Sequence, residues 1–452
     1  MSTVTNAARN VPDDPALPAL STLFPPSGAP HFIANALGEL TGHHVEAEAV
    51  QIPYIRYRPG KSCVLLWSYE DDAGNPVLAS GRVFYNQRTD KLLANNNNRR
   101  LIDAATVLLG DGEAPYRHFP EHRLLLQLFP LDLRLPRLVL AANPAWLSER
   151  LSANAITATP ISYKPWRRCV YRYDLEASGE RKSYYAKLFR DDRGEELLGW
   201  HQAIISSMSA YHSPWTIPKA VGYIPEARML LFDAIHNVVK VRTLLRPSLK
   251  DPATKQRLLS YISTAAEGLA SFQRSAINNP PSQTPRELIA AFRKDCMGVA
   301  TVAPELAATA GKVLDQLESA AHDFAAEPFV PTHGAFRHDQ LLDADGRLIV
   351  LDLDTICSSG QSADAGNFLG YLDLTAVRRP RLQPIIDDCA RAFLETLAGI
   401  GLTSPQWVAW YRAIAHVKKG LRSFFSLQPG WPETAQRMLS LAEATLREGR
   451  HA

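Results

Sequence analysis

The stretch PTHGAFRHDQLL, residues 331–342, and the run RLIVLDLD that follows it carry side chains suited to a metal-bound phosphate. His333 opens a loop, Gln340 offers a side-chain amide oxygen, and Asp352 and Asp354 close a strand-like segment. Upstream, Lys187 stands in the run YAKLF, which reads as a strand. A strand lysine can neutralise nucleotide phosphates, while a carboxylate and an amide oxygen hold Mg2+; together these are the apparatus of phosphoryl transfer. One part is missing. Such a loop needs a carboxylate two residues after its histidine to orient the acceptor hydroxyl, and that position is Ala335. Asp339 is a candidate replacement base and His338 another, although both sit beside Gln340 at the metal end of the loop. His333 reads as structural. Lys187 and Asp352 also have plainer readings, as an ordinary strand lysine and a turn-capping carboxylate.

Two stretches supply strands to position these groups. YIRYRPGKSCVLLWSYEDDAGNPVLASGRVFYN and ISYKPWRRCVYRYDLEASGERKSYYAKLFRD each hold two apolar, β-branched or aromatic runs around turn residues, the pattern of a hairpin. They align with each other. Tyr57-Arg58-Pro59 and Cys63 match Tyr163-Lys164-Pro165 and Cys169 at a shift of 106, and GRVF matches AKLF at a shift of 105. Pro120-Glu121-His122-Arg123 then matches Pro225-Glu226-Ala227-Arg228, again at 105. The ordered blocks indicate a duplicated β-rich unit. Arg82 occupies the first copy's lysine position. From about residue 240 the pattern turns helical. Asp251-Pro252 and the capping box Thr284/Glu287 mark helix starts, and Asp345-Gly346 marks a hairpin turn between QLLDA and RLIVLDLD. A β-rich part followed by a helical part is an α+β arrangement.

The bulk numbers fit a globular protein. The chain has 452 residues, 46% hydrophobic and 21% charged, with a net charge of +3. That charge is too small to imply a nucleic-acid groove or a membrane-binding face. No apolar run approaches the roughly 20 residues of a membrane span. The five cysteines are scattered without a C-x-x-C pair, which speaks against a zinc site and for free thiols. The cytoplasm is the expected location.

The segments His333-Gly334-Ala335, Gln340, Leu351-Asp352-Leu353 and GQSADAGNFLGYL resemble the aminoglycoside phosphotransferase family over residues 155–452. YKPWRRC is similar to a phosphate-facing turn of its maltokinase-like subset. The resemblance implies a protein-kinase-like bilobal fold with ATP and Mg2+ as cofactors. It places Lys187, Arg167 and Arg168 on phosphates, Gln340 and Asp352 on the metal, and backbone groups of Phe232, Asp233 and Ala234 against an adenine. It makes Asp364 a brace for the loop and leaves Glu195 and Glu196 as possible partners of Lys187. The expected organisation is a flexible tail (1–28), a degenerate small-lobe-like cap (29–150), a nucleotide-binding small lobe (151–237) and a helical large lobe (238–452). The implied function is an ATP-dependent phosphotransferase acting on a small-molecule hydroxyl of a sugar or amino alcohol, with impaired or altered catalysis. The alternative is a pseudokinase that binds nucleotide or a partner without transfer.

Overall fold

A computed structural model describes residues 9–25, 29–86, 88–110, 114–177, 179–402 and 404–450. After helices α1 (Leu20–Leu23) and α2 (His31–Thr41), the first sheet is built from β1 (Gln51–Arg58), β2 (Ser62–Glu70) and β3 (Pro76–Phe84). Helices α3 (Arg88–Ala94) and α4 (Asn96–Leu109) follow, then β4 (Tyr116–Phe119) and β5 (Leu124–Leu128). The β2–β3 turn forms because the Asp71 carboxylate accepts from the amides of Ala73 and Asn75 while Gly74 takes φ +78°. Asn95 caps α4 by accepting from the amides of Asn97 and Asn98. Short helices α5 (Arg137–Ala141) and α6 (Pro144–Arg150) lead onward.

The second sheet repeats the first. Its strands are β6 (Ala155–Lys164), β7 (Arg168–Ala177) and β8 (Glu180–Phe189). Helix α7 (Arg193–Ala210) comes next, then the short β9 (Trp215–Thr216), β10 (Ala220–Ile224) and β11 (Met229–Asp233). The order β1-β2-β3-β5-β4 corresponds to β6-β7-β8-β11-β10. Register follows the same shift: Tyr57 pairs with Cys63 as Tyr163 does with Cys169, and Arg82 pairs with Leu125 as Lys187 does with Leu230. Even the 3-10 turn before the last strand recurs, ending on Arg123 at φ +47° and Arg228 at φ +51°.

The helical part begins with β12 (Val238–Lys240), then α8 (Pro252–Gln273), α9 (Pro285–Val299) and α10 (Pro304–Asp323). Asp251 caps α8, and the reciprocal Thr284/Glu287 box opens α9. Next come β13 (Phe329–Thr332), the hairpin β14 (Leu341–Ala344) and β15 (Arg347–Val350), and β16 (Cys357–Gly360). Asp345 and Gly346, at φ +51° and +87°, make the expected tight turn. Helices α11 (Ala363–Arg378), α12 (Gln383–Ile400), α13 (Pro405–Phe425) and α14 (Trp431–Arg450) complete the lobe. All five cysteines are buried free thiols. No helix among the described residues is long and apolar enough to cross a membrane.

Residues 9–25 of the expected tail pack against the protein, while 1–8 and 26–28 lie outside the described residues. Leu17, Leu20 and Leu23 are buried in the core that contains Tyr57, Trp410 and Phe424. Asp14, also buried, accepts from the Tyr57 hydroxyl at 2.7 Å and the Gly60 amide at 2.8 Å. Apolar burial and a buried carboxylate with two donors hold residues 9–25 against the first unit. That unit shares one core with α10, α13 and α14, and another with the second sheet, where Leu66, Leu135 and Leu138 meet Tyr163, Tyr171 and Met229.

Candidate active site

Lys187, Gln340 and Asp352 come together where the second sheet faces the β14–β15 hairpin. Lys187 lies two residues before the end of β8 and is buried. Its Nζ sits 2.6 Å from Asp352 and 2.5 Å from Asp354. Arg168, the first residue of β7, ion-pairs Asp354 and reaches Asp352 at 3.5 Å. Alternation along the strand explains this. Val170 pairs with Lys187, and Arg168, two residues before it, shares that face. Arg167 stands in the turn, exposed, and is not brought to the carboxylates. Asp354, one of the two aspartates closing that segment, is a full member of the cluster.

Strand β15 ends at Val350, so Asp352 lies beyond it, in a left-handed conformation at φ +71°. Such a backbone is uncommon for a non-glycine residue and recurs at functional sites. Burial pushes the Asp352 carboxyl up, but Lys187 and Arg168 outweigh it and hold the group well below the usual carboxylate range. Gln340 donates through Nε2 to Asp352 at 3.5 Å, while its Oε1 is buried with no hydrogen-bond partner. A free, buried amide oxygen beside a carboxylate fits a hard cation. No group of three or more His, Cys, Asp or Glu among the described residues forms a metal cluster. A cation here would need oxygens from its ligand, as Mg2+ takes from nucleotide phosphates.

The loop is braced as its sequence suggests. His333 is buried; its Nε2 contacts the Leu351 carbonyl at 2.9 Å and its amide donates to Asp364 at 2.6 Å. Gly334, at φ +71°, also donates to Asp364, and a Cβ there would lie 2.1 Å from the Thr355 carbonyl oxygen, so only glycine fits. Asp339 is ion-paired to Arg337 at 2.5 Å. His338 is buried and contacts Thr375 at 3.2 Å, and burial pushes its pKa down to about 4. A cavity of about 40 Å3 beside the loop is lined by Gly334, Asp364, Asn367, Tyr411 and Lys418. A cavity of about 800 Å3 lies elsewhere.

The amides of Asp233 and Ala234 donate to the carbonyls of Lys219 and Ser183, both at 3.1 Å, and Phe232 pairs with Tyr185 in β11. Glu195 and Glu196 are exposed in the first turn of α7 and do not pair with Lys187. The buried His201, one helical turn further along α7, instead lies in electrostatic reach of Asp354, Lys187 and His333; burial keeps it neutral. Lys164 was also missed. Burial and neighbouring Arg168 push its pKa down to about 8, against the pull of Asp352.

A five-stranded antiparallel sheet with a helix between its third and fourth strands faces a helical lobe that presents a histidine loop and an aspartate after a tight hairpin. This is the protein-kinase-like bilobal arrangement, α+β in class. Solved structures similar to the chain include choline kinase LicA from Streptococcus pneumoniae, 13% identical, covering 66% of this chain and 98% of that one with a TM-score of 0.47. Another is a glucosamine kinase in complex with glucosamine, ADP and inorganic phosphate, 13% identical over 88% of this chain and 96% of that one, TM-score 0.44. A third is the ADP-bound aminoglycoside phosphotransferase APH(2'')-Ib, 10% identical over 66% and 97%, TM-score 0.44. No protein-family profile and no curated protein matches the chain.

Proposed function

We propose that the chain is an ATP-dependent phosphotransferase acting on a small-molecule hydroxyl, with the phosphate and metal apparatus kept and the general base lost. The observation that carries this reading is the meeting of Lys187 and Arg168 from one lobe with Asp352 and Asp354 from the other, beside the unbonded oxygen of Gln340. Cations and carboxylates held this close are mutually neutralised. An incoming polyphosphate can take over Lys187 and Arg168, freeing the carboxylates for its cation. Asp352 and Gln340 would hold Mg2+, which supplies neutralisation of charge on the phosphates. Lys164 adds a further cation at the turn, and Asp364 fixes the loop through its two amide bonds.

Ala335 leaves no carboxylate to orient the acceptor hydroxyl. A positioned base typically contributes about 10²–10⁴-fold in rate. Phosphoryl transfer relies mainly on positioning and electrostatics, so slow transfer survives that loss. The same residue supports a second reading, a protein that binds nucleotide without transferring phosphate. ADP release in the presence of amino sugars, amino alcohols and sugars separates the two. Acceptor-dependent ADP formation supports the enzyme. Nucleotide binding with no transfer, in the natural protein and in Ala335→Asp alike, supports the binding protein. Absence of nucleotide binding defeats both.

A further inference from the structure

A cavity of about 800 Å3 lies over the face of the first sheet where Arg82 takes the place that Lys187 holds in the second, closed on one side by Trp166 from the β6–β7 turn. Its size is that of a small-molecule site. Arg82, Arg88, Lys91 and Arg134 line it, and no aspartate or glutamate does so among the described residues. In the cluster at the other site Lys187 and Arg168 each have a carboxylate partner; here Arg82 has none among the described residues. Its Nη2 donates to Ser62 at 3.2 Å, and its guanidinium carbon lies 4.1 Å from the Trp166 ring centroid and 4.8 Å from that of Phe84. Arg134 lies 5.6 Å from the Trp166 ring. Buried polar atoms at the cavity remain without partners: Nε of Arg82, Nε1 of Trp166 and Oδ1 of Asn86.

The Arg82 guanidinium packs against two edge-to-face rings, with no carboxylate among the described residues lining the cavity beside it. Burial first, and then Arg134, Arg58, Arg56 and Arg88, pull its pKa down to about 10. The cavity wall also includes Asn95, Asn97 and Asn98, which begin α4, so the positive end of that helix adds to the same field. A forked guanidinium with free donors, further cations and an aromatic wall is suited to a tetrahedral oxyanion on an organic body.

We propose that this cavity binds a phosphate-bearing small molecule, with its phosphate on Arg82 and Arg134 and its organic part against Trp166 and Phe84. The site is separate from the Lys187–Asp352 cluster and stands without the proposed activity there. The test is calorimetric titration of the full chain with inorganic phosphate, pyrophosphate and glucose 6-phosphate, with glucose as the uncharged control. The expected result is saturable one-to-one binding of glucose 6-phosphate, weakened tenfold or more by Arg82→Gln and by Arg134→Gln, unchanged in Asp352→Asn, and absent for glucose. Arg134 is exposed, so its variant keeps the test sound if Arg82→Gln does not fold. Unchanged affinity in both arginine variants, loss only on changing Lys187 or Asp352, or no binding of any phosphate probe at millimolar concentration overturns the proposal. Binding of a short RNA in the absence of binding by the small probes does so as well.

Discussion

Replacing Asp352 with asparagine should separate what this carboxylate does for the fold from what it does for a ligand. In the free protein Asp352 contacts Lys187 at 2.6 Å and Arg168 at 3.5 Å. Removing one partner of a fully buried pair costs about 3–5 kcal/mol. Here the cost is smaller, because the Asp352 side chain is 26% exposed and Asp354 still contacts both cations. About 1–2 kcal/mol remains after that discount, a fall of roughly 2–8 °C in Tm for a cooperative unit of this size. The ligand effect is separate. ATP with Mg2+ at a hundred times its Kd stabilises the natural protein by about 2.7 kcal/mol. If Asp352 holds the cation, the variant loses that gain, and EDTA removes it from the natural protein. Thermal melts with and without ATP, Mg2+ and EDTA measure both quantities. An Mg2+-dependent ATP shift of equal size in Asp352→Asn refutes the assignment of the metal to this cluster. A Tm fall well beyond the stated range shows that Asp354 does not substitute as its contacts imply.

Three further outcomes follow from the same geometry. Ala335→Asp should raise acceptor-dependent phosphate transfer by about 10–100-fold, short of a fully positioned base because nothing has been selected to orient the new carboxylate; single-turnover assays read it, and no gain from a folded variant counts against the missing-base account. Lys164 is cationic below its pKa of about 8 and faces Arg168, Asp352, Arg337 and Arg422, so nucleotide affinity should weaken as pH rises above about 8; titrations across pH should show this step flattened in Lys164→Met. Asp373 accepts two bonds from Arg412 and one contact from His416, all at 2.7 Å; although burial pushes its carboxyl up, these partners hold it below the unfolded value. Its contribution to stability is therefore fully present above about pH 4, the unfolded value, and is lost progressively as pH falls below it toward the depressed folded-state value, and urea melts of Asp373→Asn should show a loss of about 3 kcal/mol at neutral pH.

Much of this organisation is legible in the residues. The repeat read from Tyr57/Tyr163 and Cys63/Cys169 persists as strand register, because a sheet fixes register through alternating burial. The starts of α8 and α9 were set by Asp251 and by Thr284 with Glu287, whose side chains satisfy amides a few residues away. Lys187 and Asp352 were identifiable by type and surroundings. The choice between Arg167 and Arg168 needed strand alternation counted from Lys187, a signal that was present but unused. Leu17, Leu20 and Leu23 carry helix-like spacing inside a proline-rich segment, and composition hid it. The amides of Asp233 and Ala234 bond to Lys219 and Ser183, pairings distant in sequence that no local pattern reports. His201 could not be foreseen either, because its proximity to Lys187 depends on how α7 lies across the sheet.

The N-terminal unit touches both halves of the cleft. Leu66 and Leu138 pack into the core of the second sheet, while Tyr57 meets Phe424 at 5.6 Å, Arg9 donates to the Leu427 carbonyl and Trp431 donates to that of Asn10. Rotation of the second sheet against the helical lobe about the connecting residues 234–237 would shear one of these contact sets, so the N-terminal unit braces the two at a second point, as a stay braces a door. For a ligand bound between Lys187 and Asp352, as proposed above, entry would use small displacements shared between two packed surfaces.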